Sequence, residues 1–251
     1  MIPRLYVDAP LHPGAEIVLD ADRAHYLRDV LRREPGATVD VFNGSDGEWR
    51  TEVSALRKKA ANLRCIERRR EQDATARDAP WLIFAPLKRN QTDLLVQKAT
   101  ELGVSVMQPV TTRYAQADRI NPDRLGKIAT EAAEQSERLD VPAVRDLRPL
   151  TGILDGWPGD RALIACAEAG PAHPIADVLG NLYGQPLAVL TGPEGGFSPD
   201  ELAILSELPF CHAVSLGPRI LKAETAAIAA LAVLQALAGD GAAERPRFPR
   251  Q

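Results

Sequence analysis

Two short apolar runs in the last third of the chain each end on a glycine-proline turn. This doubled arrangement constrains the fold more than any other stretch. Leu187–Leu190 leads into Gly192-Pro193-Glu194-Gly195-Gly196, and Ala213–Leu216 leads into Gly217-Pro218-Arg219. Each run is short and strand-like, the second interrupted only by Ser215. Loops at the carboxyl ends of such strands are where an open α/β sheet binds a ligand. Gly195-Gly196 allows positive φ and close approach of a ligand to the backbone. Ser198-Pro199-Asp200-Glu201 has the form of a capping box, with Ser198 as N-cap, proline in the first turn and glutamate three residues after the serine. An ordinary strand-to-helix turn would account for the first loop if it stood alone.

The better-known nucleotide loops are missing. There is no G-x-x-x-x-G-K-[ST] for phosphate, no G-x-G-x-x-G for a dinucleotide, and no G-x-S-x-G elbow for a serine hydrolase. Two proline-stiffened loops that present main-chain groups suit a neutral heterocycle better than a triphosphate. The helix expected after the second loop, Lys222–Ala238, is apolar almost all the way round. That predicts burial on every side, in a core or against a partner subunit. Glu224 and Thr225 in its first turn are the polar exceptions, and a carboxylate there also suits the helix dipole.

The first 78 residues read differently. Short strand candidates (Arg4–Val7, Glu16–Leu19, Thr38–Phe42, Glu48–Ala55, Ala61–Glu67) alternate with turns at Pro13-Gly14, Pro35-Gly36 and Asn43–Gly47. They suggest a compact barrel. One helix, from about Asp22 to Arg32, is expected to bury Tyr26, Leu27, Val30 and Leu31 and to present Arg23, Arg28, Arg32 and Arg33. Arg50–Arg70 holds eight basic residues against Glu52 and Glu67. Such a run steers a polyanion or, more simply, makes a solvated face. Polar residues 70–80 read as a linker. Beyond them Trp81–Ala85, Gln91–Leu102 and Val104–Val110 form a βαβ pattern that opens a parallel sheet, and a long helix follows from Asn121 to about Arg138.

Composition narrows the class. Apolar residues make 45% and charged residues 25% of the 251, with a net charge of −4, as expected for a soluble protein. No run is long enough to span a membrane and no secretory pattern opens the chain. Cys65, Cys166 and Cys211 and four scattered histidines have no metal-ligand spacing. The expectation is a cytoplasmic protein with reduced thiols and no metal.

The pair LTGPEGGFSPDEL and LGPRILKAETAAIAAL resembles the signature of the SPOUT superfamily of knotted methyltransferases. More narrowly, it resembles the bacterial enzymes that methylate N3 of a uridine in 16S ribosomal RNA. His25-Tyr26-Leu27-Arg28-Asp29-Val30-Leu31-Arg32 with Gly36 resembles that family's PUA-like RNA-binding domain. Lys88, Gln97–Gly103 and Thr112-Arg113 resemble its first βαβ unit, and Glu131–Ser136 with Arg138 and Val141-Pro142 its long helix. The departures are Tyr114 for a usual serine, Leu125 for tryptophan and Lys222 for arginine.

The resemblance implies a small PUA-like β-barrel over 1–73, a SPOUT α/β domain with a trefoil knot over 74–243, and a flexible tail over 244–251. It implies S-adenosyl-L-methionine as cofactor, held by Leu190, Thr191, Gly192, Pro193, Glu194, Gly195 and Gly196, by Ser215, Leu216, Gly217, Ile220 and Leu221, and by Glu168 and Thr225. It implies a homodimer acting on 16S rRNA, in the assembled small subunit. N3 of uracil is protonated at neutral pH, so a base is required. Position within or beside the loops makes Glu194 and Glu224 the candidates, with Arg219 as electrostatic partner. RNA contacts fall to Arg4, Arg23, Arg28, Arg32, Arg33, Lys88, Arg89 and Arg113. Two other readings stay open: a SPOUT ribose 2′-O-methyltransferase, and a non-catalytic RNA-binding assembly factor.

Overall fold

A computed structural model describes residues 2–72, 79–116, 119–167 and 172–241. The chain divides into two compact units. The first comprises Met1–Ala74, Ala133–Val141 and Arg247–Gln251, the second Thr75–Ala132 and Pro142–Pro246. The expected boundary near 73 and the tail from 244 fall outside the described residues.

In the first unit β1 (Arg4–Tyr6), β2 (Glu16–Leu19), β3 (Thr38–Phe42), β4 (Glu48–Leu56) and β5 (Ala61–Arg70) form one sheet in the order β1-β3-β4-β5-β2. Only β1 and β3 pair parallel. Alternate residues such as Ile17, Val39, Val53 and Leu63 point into its core. The Asn43–Gly47 turn is held by Asn43 Oδ1, which accepts from the Ser45 and Asp46 amides at 3.0 and 2.8 Å. Gly47 cannot be replaced there, since a Cβ would sit 2.1 Å from the Arg70 carbonyl oxygen.

The expected helix is shorter and differently wound. α1 covers Ala21–His25, and Tyr26–Val30 continues as a π-helical turn ending near Arg32, whose φ is +51°. The wider turn shifts the phase of the side chains. Leu27 is buried, but Tyr26 and Val30 are 41% and 59% exposed instead of completing the apolar face. Half of the basic run is ion-paired: Arg50 with Asp40, Arg68 with Glu71, Arg69 with Glu67 and Arg70 with Glu48. Arg70 is thus the end of a strand rather than the start of a linker.

The second unit is built on a parallel sheet. Its main strands are β6 (Trp81–Phe84), β7 (Val106–Thr111), β10 (Ala162–Cys166), β12 (Leu187–Thr191) and β13 (Cys211–Ser215). Two-residue strands β8 (Ala143–Val144), β9 (Arg148–Pro149) and β11 (His173–Pro174) extend it, in the order β11-β13-β10-β12-β6-β7-β8 with β9 also on β7. β12 is buried at every residue, as a central parallel strand must be. Ala188 and Leu190 face a cluster that includes Ile83, Leu163, Leu154 from α4 (Leu150–Leu154) and Leu205 from α6 (Pro199–Glu207). Helices α2 (Arg89–Glu101) and α5 (Ile175–Gly180) each pack on α7 (Ala223–Ala238), which also packs on β12. The long helix α3 spans Pro122–Gln135.

The expectation for α7 is met on one side by this chain's own core. Ala227, Ala230, Leu231, Leu234 and Gln235 are buried, whereas Ala232, Ala236 and Leu237 are exposed. Within the single chain only one side of α7 is covered, so burial in this chain's own core accounts for that side alone. Gln235 is buried because its amide donates to the Leu102 carbonyl at 2.6 Å and its carbonyl accepts from the Asp240 amide at 3.0 Å.

Candidate active site

β10 lies between β12 and β13, and all three run parallel. Cys166, the last residue of β10, is in register with Thr191 on one side and Val214 on the other. The loops after β12 and β13 are therefore brought to the two sides of one strand end, although α6 separates them in sequence. Together they wall a cavity of about 280 Å³. The first loop contributes Gly192, Pro193, Gly195 and Gly196, the second Ser215 through Leu221. Ala223 and Ala226, nearly one turn apart on α7, complete it.

Local chemistry sets both loops. The Gly196 amide donates to the Pro193 carbonyl at 2.9 Å, closing a turn with Gly196 at φ +68°. Gly217 sits at φ +107° and its amide donates to Ser215 Oγ at 3.2 Å. A Cβ at either glycine would meet nothing within 4 Å, so the requirement is conformational. Gly195 differs, since a Cβ there would lie 3.1 Å from Tyr114 Cβ. The capping box forms as expected: the Ser198 amide donates to Glu201 Oε2 at 2.8 Å and the Glu201 amide to Ser198 Oγ at 3.3 Å. Glu201 Oε1 also accepts from the Arg113 amide at 2.8 Å, tying α6 to the loop after β7.

Among the described residues Arg219 is the one charged residue of the wall. α7 begins without a side-chain cap at Lys222, so its first amides border the cavity with the positive end of the helix dipole. Burial pushes the Cys166 thiol up to about 12, which keeps it protonated and unreactive at neutral pH. Among the described residues no cluster of three or more His, Cys, Asp or Glu could hold a metal ion. Main-chain donors and acceptors, the Thr191 and Ser215 hydroxyls and the apolar Leu216 and Leu221 fit an adenosyl group.

The structure places the expected cofactor residues unevenly. Thr191, Gly192, Pro193, Gly195, Gly196, Ser215, Leu216, Gly217, Ile220 and Leu221 line the cavity. Leu190 is buried behind the wall, and Glu194 and Thr225 are exposed without lining it. Glu168 lies outside the described residues. Of the three candidate catalytic side chains only Arg219 lines the cavity, while half-buried Glu224 stands between Ala223 and Ala226 on α7. The sequence reading missed Phe197, Cys166, Ala223 and Ala226. The position of Cys166 as a strand end beside both loops, and the i, i+3 spacing of the two alanines, were the available signals.

The basic candidates also divide. Arg4 is not a surface cation: it pairs with Glu48 at 2.8 Å, donates to the carbonyls of Glu134 and Arg138 at 3.0 and 2.7 Å, and lies over the Phe42 ring. Burial lowers its pKa. It is a structural strut of the first unit. Arg28 is bidentate to Asp29 and donates to the Arg57 carbonyl. Arg23 and Arg33 are half-buried, while Arg32, Lys88, Arg89 and Arg113 are exposed.

Residues 77–235 match the family described as RNA methyltransferase domain, and residues 19–64 the RNA methyltransferase PUA domain. The Ribosomal RNA small subunit methyltransferase E of Rickettsia conorii is 32% identical over 235 residues, covering 93% of this chain and 95% of its own length. The chain belongs to the ribosomal RNA small subunit methyltransferase E family. The member from Synechocystis is 32% identical over 228 residues, covering 89% of this chain and 74% of its own length. The crystal structure of the family member from Neisseria gonorrhoeae bound to S-adenosyl methionine has a TM-score of 0.78 at 28% identity, covering 94% of this chain and 98% of that one. The family likeness therefore extends through both units, and both glycine loops lie within the methyltransferase match.

Proposed function

We propose that this chain methylates N3 of a uridine in small-subunit ribosomal RNA, using S-adenosyl-L-methionine bound in the cavity between the two glycine loops. The observation that carries this reading is the convergence of both loops on the end of β10 in a nearly neutral, main-chain-lined cavity. The solved relative with S-adenosyl methionine supports the choice of ligand. When bound, that cofactor supplies an electrophilic methyl group on sulfur.

The chain's own residues then have three tasks. The loop main chains orient the adenosyl group and exclude water. The uracil N3–H, on the Watson–Crick edge, has to be unpaired to reach the site. Its proton would pass to a carboxylate as the N–C bond forms and the sulfur–methyl bond breaks to leave a neutral thioether; Glu224 and Glu194 are the candidates. Arg219, on the cavity wall, stabilises the negative charge that the leaving proton exposes on the uracil ring.

The outward face of α7, with Leu237 exposed at 47%, and Ile220, exposed at 87%, supports a homodimer contact. The substrate is assigned as 16S rRNA in the assembled small subunit, and the compartment as the cytoplasm. Among the described residues no helix is long and apolar enough to cross a membrane. Glu224→Gln and Glu194→Gln are the direct tests of the base: the true one lowers kcat while S-adenosyl-L-methionine still binds. Full turnover in both removes them from the mechanism. Nucleoside analysis of the RNA product tests the reaction itself.

A further inference from the structure

On the far side of β12 from β10 lies β6, with Phe84 in register with Thr191 and the Ala85 amide donating to the Thr191 carbonyl at 3.1 Å. The segment after β6 is thus the next loop along the same sheet edge as the cofactor site. With Gln116, Arg119, Ile120 and Asn121 ahead of α3 it walls a second cavity of about 500 Å³. Lys88, Arg89, Arg119 and Arg124 line it, and among the described residues no acidic or aromatic side chain does. Arg124 donates to Asp93 Oδ2 at 2.7 Å, which holds its guanidinium charged. Among the described residues Lys88, Arg89 and Arg119 form no ion pair.

The wall is preformed. Thr92 Oγ1 accepts from the Leu87 amide and donates to the Leu87 carbonyl, both at 3.0 Å, pinning the loop to the first turn of α2. That turn carries no acidic residue, and Lys88 at the N-cap gives no side-chain cap. The Arg89 and Asn90 amides therefore have no intrahelical acceptor. Three unpaired cations and an uncapped helix start converge on one hollow. Its ligand is an anion, because among the described residues four cations and no carboxylate line it. The lack of an aromatic wall argues against a stacked base.

We infer that this cavity holds a backbone phosphate of the RNA strand whose base enters the neighbouring cofactor site. The inference rests on the proposed function for its choice of anion. Phosphate contacts position a strand without reading its sequence, and a contact one strand away from the methyl donor would set the register of the target nucleotide.

The test is binding of a labelled single-stranded RNA carrying the methylated segment to wild type and to Lys88→Gln/Arg89→Gln, over a range of salt. Loss of one phosphate contact lowers the slope of log affinity against log salt by about 0.7. S-adenosyl-L-methionine affinity serves as the check that the variant is folded, and Lys88→Arg/Arg89→Lys restores the slope. A variant that binds RNA with wild-type affinity and slope overturns the inference, as does a wild type that binds inorganic phosphate but not RNA. Methyl transfer is measured separately. A wild type that binds RNA with a slope sensitive to these variants yet transfers no methyl leaves the phosphate site standing and removes the methylation reading.

Discussion

Gly217→Ala isolates the conformational demand of the cofactor cavity from its steric one. Gly217 sits at φ +107° on the cavity wall, and a Cβ there would meet nothing within 4 Å. The whole cost of the substitution is therefore backbone strain, about 1–3 kcal/mol for a non-glycine residue in this region. The loop can bear that strain, in which case stability falls by this amount and cofactor affinity holds. Alternatively it shifts to an unstrained conformation, and the native loop has to be regained on binding. The same free energy then appears as a loss of affinity, about 5- to 150-fold. The two losses together amount to about 1–3 kcal/mol however they divide. Calorimetric titration with S-adenosyl-L-methionine and denaturant unfolding, run on the same variant, measure both. Gly196→Ala, at φ +68° and equally open, lies in the ordinary left-handed region and costs less, about 1 kcal/mol. Unchanged affinity and unchanged stability in Gly217→Ala would refute the reasoning.

Other outcomes follow from single contacts. Glu48→Gln removes the carboxylate that Arg4 and Arg70 share in the first unit, where all three side chains are largely buried. Breaking such a pair from one side costs about 3–5 kcal/mol, read as a shift in denaturation midpoint that Glu67→Gln on the exposed Arg69 pair does not reproduce. Glu201→Ala removes half of a capping box and orphans the Arg113 amide, and thermal unfolding should register a loss of about 0.5–2 kcal/mol. Burial raises the Cys166 and Cys211 thiols from 9 to about 12. Their contribution to stability is fully present below pH 9 and is lost as pH rises toward 12, because only the unfolded thiols ionise in that window. Cys166→Ala/Cys211→Ala should flatten the fall of stability between those values, and an identical slope would remove the thiols as its cause.

Much of the parallel sheet was legible because its strands are continuous apolar runs bounded by turn residues. The capping box at Ser198 was legible to the residue, since its pattern is purely local. What local pattern could not reveal was strand order. That β13 pairs with β10 opposite β12 depends on long-range packing, and this alone brings Cys166, Ala223 and Ala226 into one wall with the glycine loops. The π-helical turn at Tyr26–Val30 was hidden for a related reason: its residues repeat acceptably as α-helix, and only the extra residue in the turn exposes Tyr26 and Val30. Arg4 illustrates a third limit. A basic residue on a short strand reads as a surface cation until its partners, Glu48 and the carbonyls of Glu134 and Arg138, are brought to it by the fold. Residues 133–141, which group with the first unit, meet Arg4 through the same long-range packing.

The central claim is the chemistry at one atom, and mass spectrometry of nucleosides tests it most directly. Small-subunit RNA from cells lacking this protein is incubated with the purified chain and S-adenosyl-L-methionine, as naked RNA and as assembled subunits, then digested to nucleosides. The account predicts the appearance of 3-methyluridine, greater with assembled subunits. A ribose 2′-O-methyl nucleoside in its place would contradict the assignment of the acceptor atom, and no methylated nucleoside with either substrate would contradict catalysis itself.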